Sequence, residues 1–367
     1  MHVHAYTQYY FNELRGLLMQ RLFSYPVMEE LIDQMGRPLH DLRISVTDRC
    51  NMRCDYCMPA EVFDANHQFM HRNELLTFEE IDSVVESLVP LGIKKIRLTG
   101  GEPLLRRDIE NLIQMLSKHP VEIAMTTNGL LFRGRGKKLQ NAGLNRVTFS
   151  LDSLDPIVFE KITGTSGGRL QSILDSIDEA IECGLGQVRI NSVIRRGVNE
   201  QDIDRLIEKF SHLPVSLRFI EFMDVGNHNG WRYNDVIPSS EIRAYLRKNF
   251  DLTPINSTQR GEVARRWSVE GGNGFEIGFI SSVTQTFCGD CTRARISAEG
   301  KLYTCLFATN GTDLKSILRN KTNENDIQKI ISEIWSMRND RYSELRNKSP
   351  KPGTISLPKI EMSYIGG

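Results

Sequence analysis

The sequence predicts an α/β chain whose core is an incomplete (β/α)6 barrel followed by a C-terminal extension. From about residue 40 to 225, short β-branched runs alternate with amphipathic helical stretches, the pattern of a parallel sheet with crossover helices. Four of the six runs end in a small or polar cluster, and the first runs into a cysteine-rich loop. Parallel (β/α) sheets gather their active sites at such C-terminal strand ends. The length of 367 residues accommodates one barrel and a smaller appendage.

The strand candidates, in order, are "RISVT" (43–47), "KKIRLT" (94–99), "VEIAMT" (121–126), "RVTFSL" (146–151), "QVRINSVI" (187–194) and "VSLRFIEF" (215–222). Between the first two, Thr77 and Glu80 form a T-x-x-E capping box ahead of Ile81, Val84, Val85 and Leu88, which marks a helix start. The polar clusters are "GGEP" (100–103), "TNG" (127–129), "DS" (152–153) and "MD" (223–224). Beyond them, "GNHNGW" reads as a loop, "GEVARRWSVEGGNGFEIGFISSV" as one or two hairpins, and Asp313 to Arg346 as amphipathic helix in pieces.

Lys plus Arg (46) equals Asp plus Glu (46), which removes the broad basic footprint of a nucleic-acid or membrane-surface binder. Any anion site must be a local cluster of arginines or lysines. No stretch approaches the ~18 apolar residues of a membrane span, and Glu13, Arg15 and Arg21 interrupt the N-terminus before a signal-type apolar core develops. A cytoplasmic location is expected, with reduced thiols. The seven cysteines therefore point to metal rather than disulfides, and six of them fall into two triplets.

The first triplet, in "TDRCNMRCDYCMP", places Cys50, Cys54 and Cys57 within eight positions on the loop after a strand. Three thiolates so spaced can hold three irons of a [4Fe-4S] cubane and leave the fourth iron open; a zinc site is the alternative. The C-x3-C-x2-C spacing together with "GGEP" resembles the radical S-adenosylmethionine (SAM) superfamily. That resemblance implies an incomplete (β/α)6 radical SAM barrel, SAM on the open iron, and a 5'-deoxyadenosyl radical. The second triplet, Cys288, Cys291 and Cys305, again stops at three, with no histidine after His228 to close a zinc tetrahedron. Asp290 could complete such a site, but a second [4Fe-4S] cluster with an open iron fits the donor set better.

The chain is further similar to the GTP 3',8-cyclase family of molybdenum cofactor biosynthesis. The resemblance rests on "RPLHDLRISVTDRCNMRCDYCMP", "IRLTGGEPLLRRD", "TTNG", "SLDSLD", "RFIEFMDVGNHNGW", the "CTRAR" motif and the terminal "YIGG". It implies a lyase that converts GTP to (8S)-3',8-cyclo-7,8-dihydro-GTP, with two [4Fe-4S] clusters and SAM, an electron donor, and a downstream cyclic pyranopterin-forming enzyme. A homodimer is a further candidate assembly. By the same resemblance, Tyr56, Gly101, Ser150 and Met223 would bind SAM. Arg43, Arg97, Thr126, Arg189, Arg218, Arg293 and Arg295 would bind GTP, and Gly366 and Gly367 would end a tail that enters the pocket and is needed for turnover.

Read by itself, an arginine on a strand is more often a salt-bridge partner, but Arg43, Arg97 and Arg189 recur on three predicted strands. Arg293 and Arg295 alternate so that both project to one face. Glycines at 100 and 101 are expected to let backbone approach the SAM methionyl end. Arg189 departs from the family, which carries Lys there. The expected organisation is an extension at 1–27 outside the resemblance, the partial barrel at 28–250, and a C-terminal region at 251–367 with the second cluster and the Gly-Gly tail. Cys183, at the end of an apolar-periodic helix, is expected as a buried small hydrophobe. The competing readings are a radical enzyme acting on another nucleotide or a peptide, and a zinc-stabilised binding protein.

Overall fold

The β-branched runs form strands where the alternation places them. In the computed structural model, which describes residues 30–320, 324–346 and 359–366, these are β1 (Asp41–Ser45), β2 (Lys95–Thr99), β3 (Glu122–Thr127), β4 (Arg146–Ser150), β5 (Val188–Ile194) and β6 (Val215–Glu221). They lie side by side in chain order, every neighbouring pair parallel. The extension at 1–27, with His2 and His4, and Gly367 lie outside the described residues.

Helices cross between the strands: α1 (Phe78–Leu88), α2 (Ile109–Leu116), α3 (Gly136–Ala142), α4 (Pro156–Thr163), α5 (Leu170–Glu182) and α6 (Asp202–Phe210), with α7 (Ser239–Leu246) after β6. The capping box at α1 is present in full: the Glu80 amide donates to Thr77 Oγ1 and the Thr77 amide to a Glu80 carboxylate oxygen. Its Ile81, Val84, Val85 and Leu88 are all buried, each contributing about 1.5–3 kcal/mol of transfer free energy.

The sheet does not stop at six strands. The hairpin expected near 261–283 forms as β8 (Arg265–Val269) and β9 (Glu276–Ile280), joined by β7 (Leu252–Ile255), and β9 also pairs in parallel with β6. At the other side β10 (Arg293–Ile296) pairs in parallel with β1 and carries β11 (Lys301–Tyr303) and β12 (Thr312–Asp313). Among the described residues the result is one mixed sheet of 12 strands running from β12 to β7. Helices α8 (Leu314–Arg319), α9 (Glu324–Ser336), α10 (Tyr342–Arg346) and α11 (Met362–Ile365) follow among the described residues of the C-terminal region. No helix among the described residues is long and apolar enough to cross a membrane.

Side-chain alternation divides the sheet into two environments. Leu42, Ile44, Ile96, Leu98, Ile123, Met125, Val147 and Phe149 face the helices and are buried. The intervening residues on the same strands, Arg43, Arg97, Thr126 and Thr148 among them, line a cavity instead. The sheet thus turns arginines and threonines, rather than packed layers of aliphatic side chains, toward a chamber.

Candidate active site

At the C-terminal ends of the parallel strands opens a cavity of about 330 Å³. Both cysteine triplets line it, as do Tyr56, Gly101, Ser150 and Met223 and the expected anion ligands Arg43, Arg97, Thr126, Arg218, Arg293 and Arg295. Arg189 does not line it. It lines a smaller chamber of about 200 Å³ at the opposite strand ends, which shares Arg43, Arg97, Arg218 and Arg293 with the first. Gly366 reaches the wall: its carbonyl accepts a bond from Arg295 Nη1, and a Cβ on it would collide with Thr99 Oγ1.

Strand register explains why the arginines converge. Arg43 of β1 pairs with Arg97 of β2 on one side and with Arg295 of β10 on the other, so three guanidiniums stand in one cross-strand row. One step toward the strand starts, Asp41 pairs with both Arg293 and Lys95, and Lys95 pairs with Glu122. That lower row alternates in sign and is knitted by the Lys95–Asp41 bridge at 3.2 Å. The upper row has no such compensation, and directly opposed like charges repel.

Burial first, then the neighbouring Arg295, Arg293 and Arg97, push Arg43 well below the usual guanidinium range. Burial and adjacent arginines likewise push Arg218 to about 9, and burial with Arg218, Arg146 and Arg97 takes Arg189 to about 8. A guanidinium keeps its proton under such pressure, so the arrangement suits an anionic ligand. Arg97 also donates to Thr126 Oγ1 and Thr148 Oγ1, each at 3.2 Å. Gly278 on β9 leaves room for Arg218, since a Cβ there would lie 3.0 Å from Arg218 Cγ.

The first cysteine loop is seated by the "GGEP" turn. The Gly101 amide donates to the Thr47 carbonyl and the Glu102 amide to the Arg49 carbonyl, both at 2.8 Å. A Cβ on Gly100 or Gly101 would run into those same carbonyls. The glycines are thus required by the loop's own backbone, a reason the sequence alone did not supply. Among the described residues no three Cys, His, Asp or Glu side chains gather tightly enough to hold a single metal ion. Six free thiols, three from each cysteine loop, line one cavity, and a set of three thiolates is a donor set that an iron–sulfur cluster with one open iron can use.

Burial, then Cys57 and Cys50, pushes the Cys54 thiol well up, and burial followed by Glu102 takes Cys50 to about 11. Such thiols deprotonate when a cationic centre compensates the charge. In the second triplet burial also opposes ionisation, yet Arg293 and Arg338 bring Cys291 down to about 6. Cys183 is half-buried rather than buried, at the end of α5, where a Cβ on Gly136 would lie 3.0 Å from its sulfur. The turn that ends α5 keeps it near the surface.

Three cavity residues escaped the motif reading. Buried Glu102 accepts from Thr127 Oγ1 and the Asn128 amide, both at 2.8 Å, and burial raises it to about 7. Asn128 in turn points its amide at Asn51 Oδ1 (2.7 Å) and toward Cys50 Sγ (3.8 Å). Asp152 accepts from the Tyr56 hydroxyl at 2.6 Å and from the Val193 amide at 2.8 Å, and burial takes it to about 6. The clusters "GGEP", "TNG" and "DS" flagged all three positions, although the motifs assigned them no role.

Asp152 is ionised above about pH 6 and protonated below, so the Tyr56 hydrogen bond is charge-assisted only at the higher pH. Tyr56→Phe should therefore cost about 1.5–3 kcal/mol of stability at pH 7.5 and less at pH 5. Denaturant titrations at the two pH values check this, and an equal loss at both would contradict it.

An open, mostly parallel sheet with a three-cysteine loop after its first strand and a Gly-Gly-Glu-Pro turn after its second has the make-up of a radical SAM protein. Residues 44–210 match the Radical SAM superfamily, and residues 215–344 match Molybdenum Cofactor Synthesis C. The chain is 48% identical over 358 residues to the GTP 3',8-cyclase of Acidothermus cellulolyticus, covering 91% of this chain and 98% of that one. It is 44% identical over 344 residues to the GTP 3',8-cyclase of Staphylococcus saprophyticus, covering 93% and 100%. The crystal structure of Streptococcus suis SuiB bound to S-adenosylmethionine aligns with a TM-score of 0.56 at 16% identity, over 86% of this chain and 69% of that one, a likeness of fold alone. The chain belongs to the GTP 3',8-cyclase family within the radical SAM superfamily, whose members use a [4Fe-4S] cluster and SAM.

Proposed function

We propose that the protein converts GTP to (8S)-3',8-cyclo-7,8-dihydro-GTP, the first step of molybdenum cofactor biosynthesis. The observation that carries the reading is one cavity holding two cysteine triplets and a cross-strand row of three arginines. When bound, SAM and a cluster on Cys50, Cys54 and Cys57 supply one-electron chemistry able to take hydrogen from a sugar carbon. The protein's own part is placement. Tyr56, Gly101, Ser150 and Met223 receive SAM, and the Tyr56 ring is kept in position by Asp152.

Arg43, Arg97, Arg218, Arg293 and Arg295, with Thr126, bind the nucleotide, and Arg189 takes the phosphate end that reaches the smaller chamber. Cys288, Cys291 and Cys305 carry a second [4Fe-4S] cluster in the region after residue 250, and the tail ending in Gly366 and Gly367 closes the pocket. The parallel strands act as the incomplete barrel of residues 28–250. The product requires an electron donor and passes to a cyclic pyranopterin-forming enzyme.

The test is anaerobic purification with iron and sulfide analysis, then turnover of GTP with SAM and mass spectrometry. Cyclised GTP and 5'-deoxyadenosine are expected. A colourless zinc protein, or SAM cleavage with GTP unchanged, would overturn the assignment.

The arginine row adds a prediction with two opposed signs. Arg43→Met and Arg97→Met should each weaken GTP binding about tenfold, about 1.4 kcal/mol, because a charge-assisted phosphate contact is lost. Without GTP the same variants should melt no lower than wild type, since each relieves like-charge repulsion. Equilibrium dialysis and thermal melts with and without GTP read the two effects separately, and an apo melting point that falls with unchanged GTP affinity would make these arginines structural.

A further inference from the structure

Asp33, Arg37 and Arg338 line neither cavity, yet their side chains are almost wholly withdrawn from water, with exposures of 0%, 0% and 1%. Asp33 Oδ2 accepts from Arg37 Nε at 2.6 Å and from Arg338 Nη1 at 3.3 Å. Both arginines then reach the backbone of the second cysteine loop. Arg37 Nη1 donates to the Cys288 carbonyl at 2.8 Å and to the Asp340 carbonyl at 2.8 Å, and Arg338 Nη1 donates to the Cys291 carbonyl at 2.9 Å. Trp335 of α9 locks the assembly: Arg338 lies over its ring at 4.4 Å, and its Nε1 donates to the Arg37 carbonyl at 3.0 Å.

Two buried guanidiniums face one buried carboxylate. Asp340, the other acid, pairs with Arg338 Nε at 3.2 Å but is 32% exposed and so screened by water. Arg37 Nη2 is buried with no partner among the described residues. Burying ions in this way is unfavourable, and apolar side chains of like volume could brace a loop as well. What they could not supply is positive charge beside the cysteines. The potential of an iron–sulfur cluster follows the charge and hydrogen bonding around it.

Resting on the reading that Cys288, Cys291 and Cys305 carry a cluster, we propose that Arg37 and Arg338, cross-braced by Asp33, are positioning residues. They clamp the Cys288–Cys291 turn by its carbonyls, and their net positive charge raises the reduction potential of that cluster. The first cluster, on another loop, does not respond to them.

The experiment is a redox titration of the reconstituted full-length protein followed by electron paramagnetic resonance, with iron counted in each variant. Arg338→Met should move the second cluster's midpoint to a more negative value and leave the first unchanged, and Arg338→Lys should restore most of the shift. Asp33→Asn, nearly isosteric and opposite in charge effect, should move the second midpoint the other way. A merely structural brace would not reverse sign. Selective iron loss from the second site in Arg338→Met, reversed by Arg338→Lys, would support the clamp. Equal second-cluster midpoints in Arg338→Met, Asp33→Asn and wild type, or shifts in the same direction, overturn the proposal. Wild-type protein holding a single cluster overturns the underlying reading, and the proposal with it.

Discussion

Cys54→Ser should bring 5'-deoxyadenosine formation below detection, whereas Cys291→Ala should leave it measurable and remove the cyclised product. Cys54 is packed at the centre of its loop: its carbonyl accepts from the Cys57 amide at 3.0 Å and from the Met58 amide at 2.8 Å. Serine preserves that packing, so a loss of activity would report the ligand and not the fold. Its hydroxyl is a far poorer iron ligand, and losing one of three thiolates removes the source of the electron. Cys291 belongs to the other triplet, across the same cavity, so its loss should disturb substrate placement and leave the first site working. High-performance liquid chromatography of anaerobic reactions measures both products. Normal 5'-deoxyadenosine from Cys54→Ser, or normal cyclised product from Cys291→Ala, would refute the division of roles.

The second large effect is expected at Gly366. Its φ of +76° lies in the left-handed region, and an added Cβ would strike the Thr99 side chain at the end of β2. Alanine there is disfavoured twice, by backbone conformation and by contact. The preceding residues are firmly held: Ile365 is fully buried, the Asn227 amide donates to Glu361 Oε1 at 3.0 Å, and Lys359 Nζ pairs with Asp224 at 2.8 Å. A displaced Gly366 would release Arg295 from its carbonyl while the rest of the tail stayed docked. Because a misplacement of about 1 Å near reacting groups can cost about 10²-fold, Gly366→Ala should lower cyclisation by about that factor with both clusters intact. A truncation lacking Gly366 and Gly367 should behave alike, with partial recovery on adding a peptide ending in Tyr-Ile-Gly-Gly. Wild-type turnover by the truncated protein would return the tail to a passive role.

Local rules made much of this legible. The six parallel strands, the α1 capping box and the strand-end clusters each depend on neighbours within a few residues, and the cysteine spacings carry their chemistry on their face. What escaped depends on pairing between distant segments. Nothing in "EIGFI" or "RARI" announces that one will extend the sheet beside β6 and the other beside β1. Without that, the row Arg295–Arg43–Arg97 cannot be foreseen, only a list of arginines. Arg189 is expected from the sequence as a strand arginine binding GTP, but nothing local shows that it stands two residues before Asn191, the β5 residue that pairs with Arg218 and lines the larger cavity, so that Arg189 itself opens into the smaller chamber. Asp33 and Arg338 are bonded across 305 positions of sequence, and no periodicity links them. Asp152 stands in the cluster "DS", but its bond to Tyr56 spans 96 positions and has no local signal.

The row of like charges on β10, β1 and β2 has a consequence for how the chain folds. Sequences fold cleanly when local choices agree with the global structure, and here three neighbouring strands are brought together against mutual repulsion. A one-residue slip of any of these strands would turn its guanidinium out toward the helices and bury it without a partner, so the register is enforced even though the like-charged seam is frustrated. Amides along β1 and β2 should then exchange hydrogen for deuterium faster in the ligand-free protein than those of β4 and β5, and slow markedly when a triphosphate settles onto the seam.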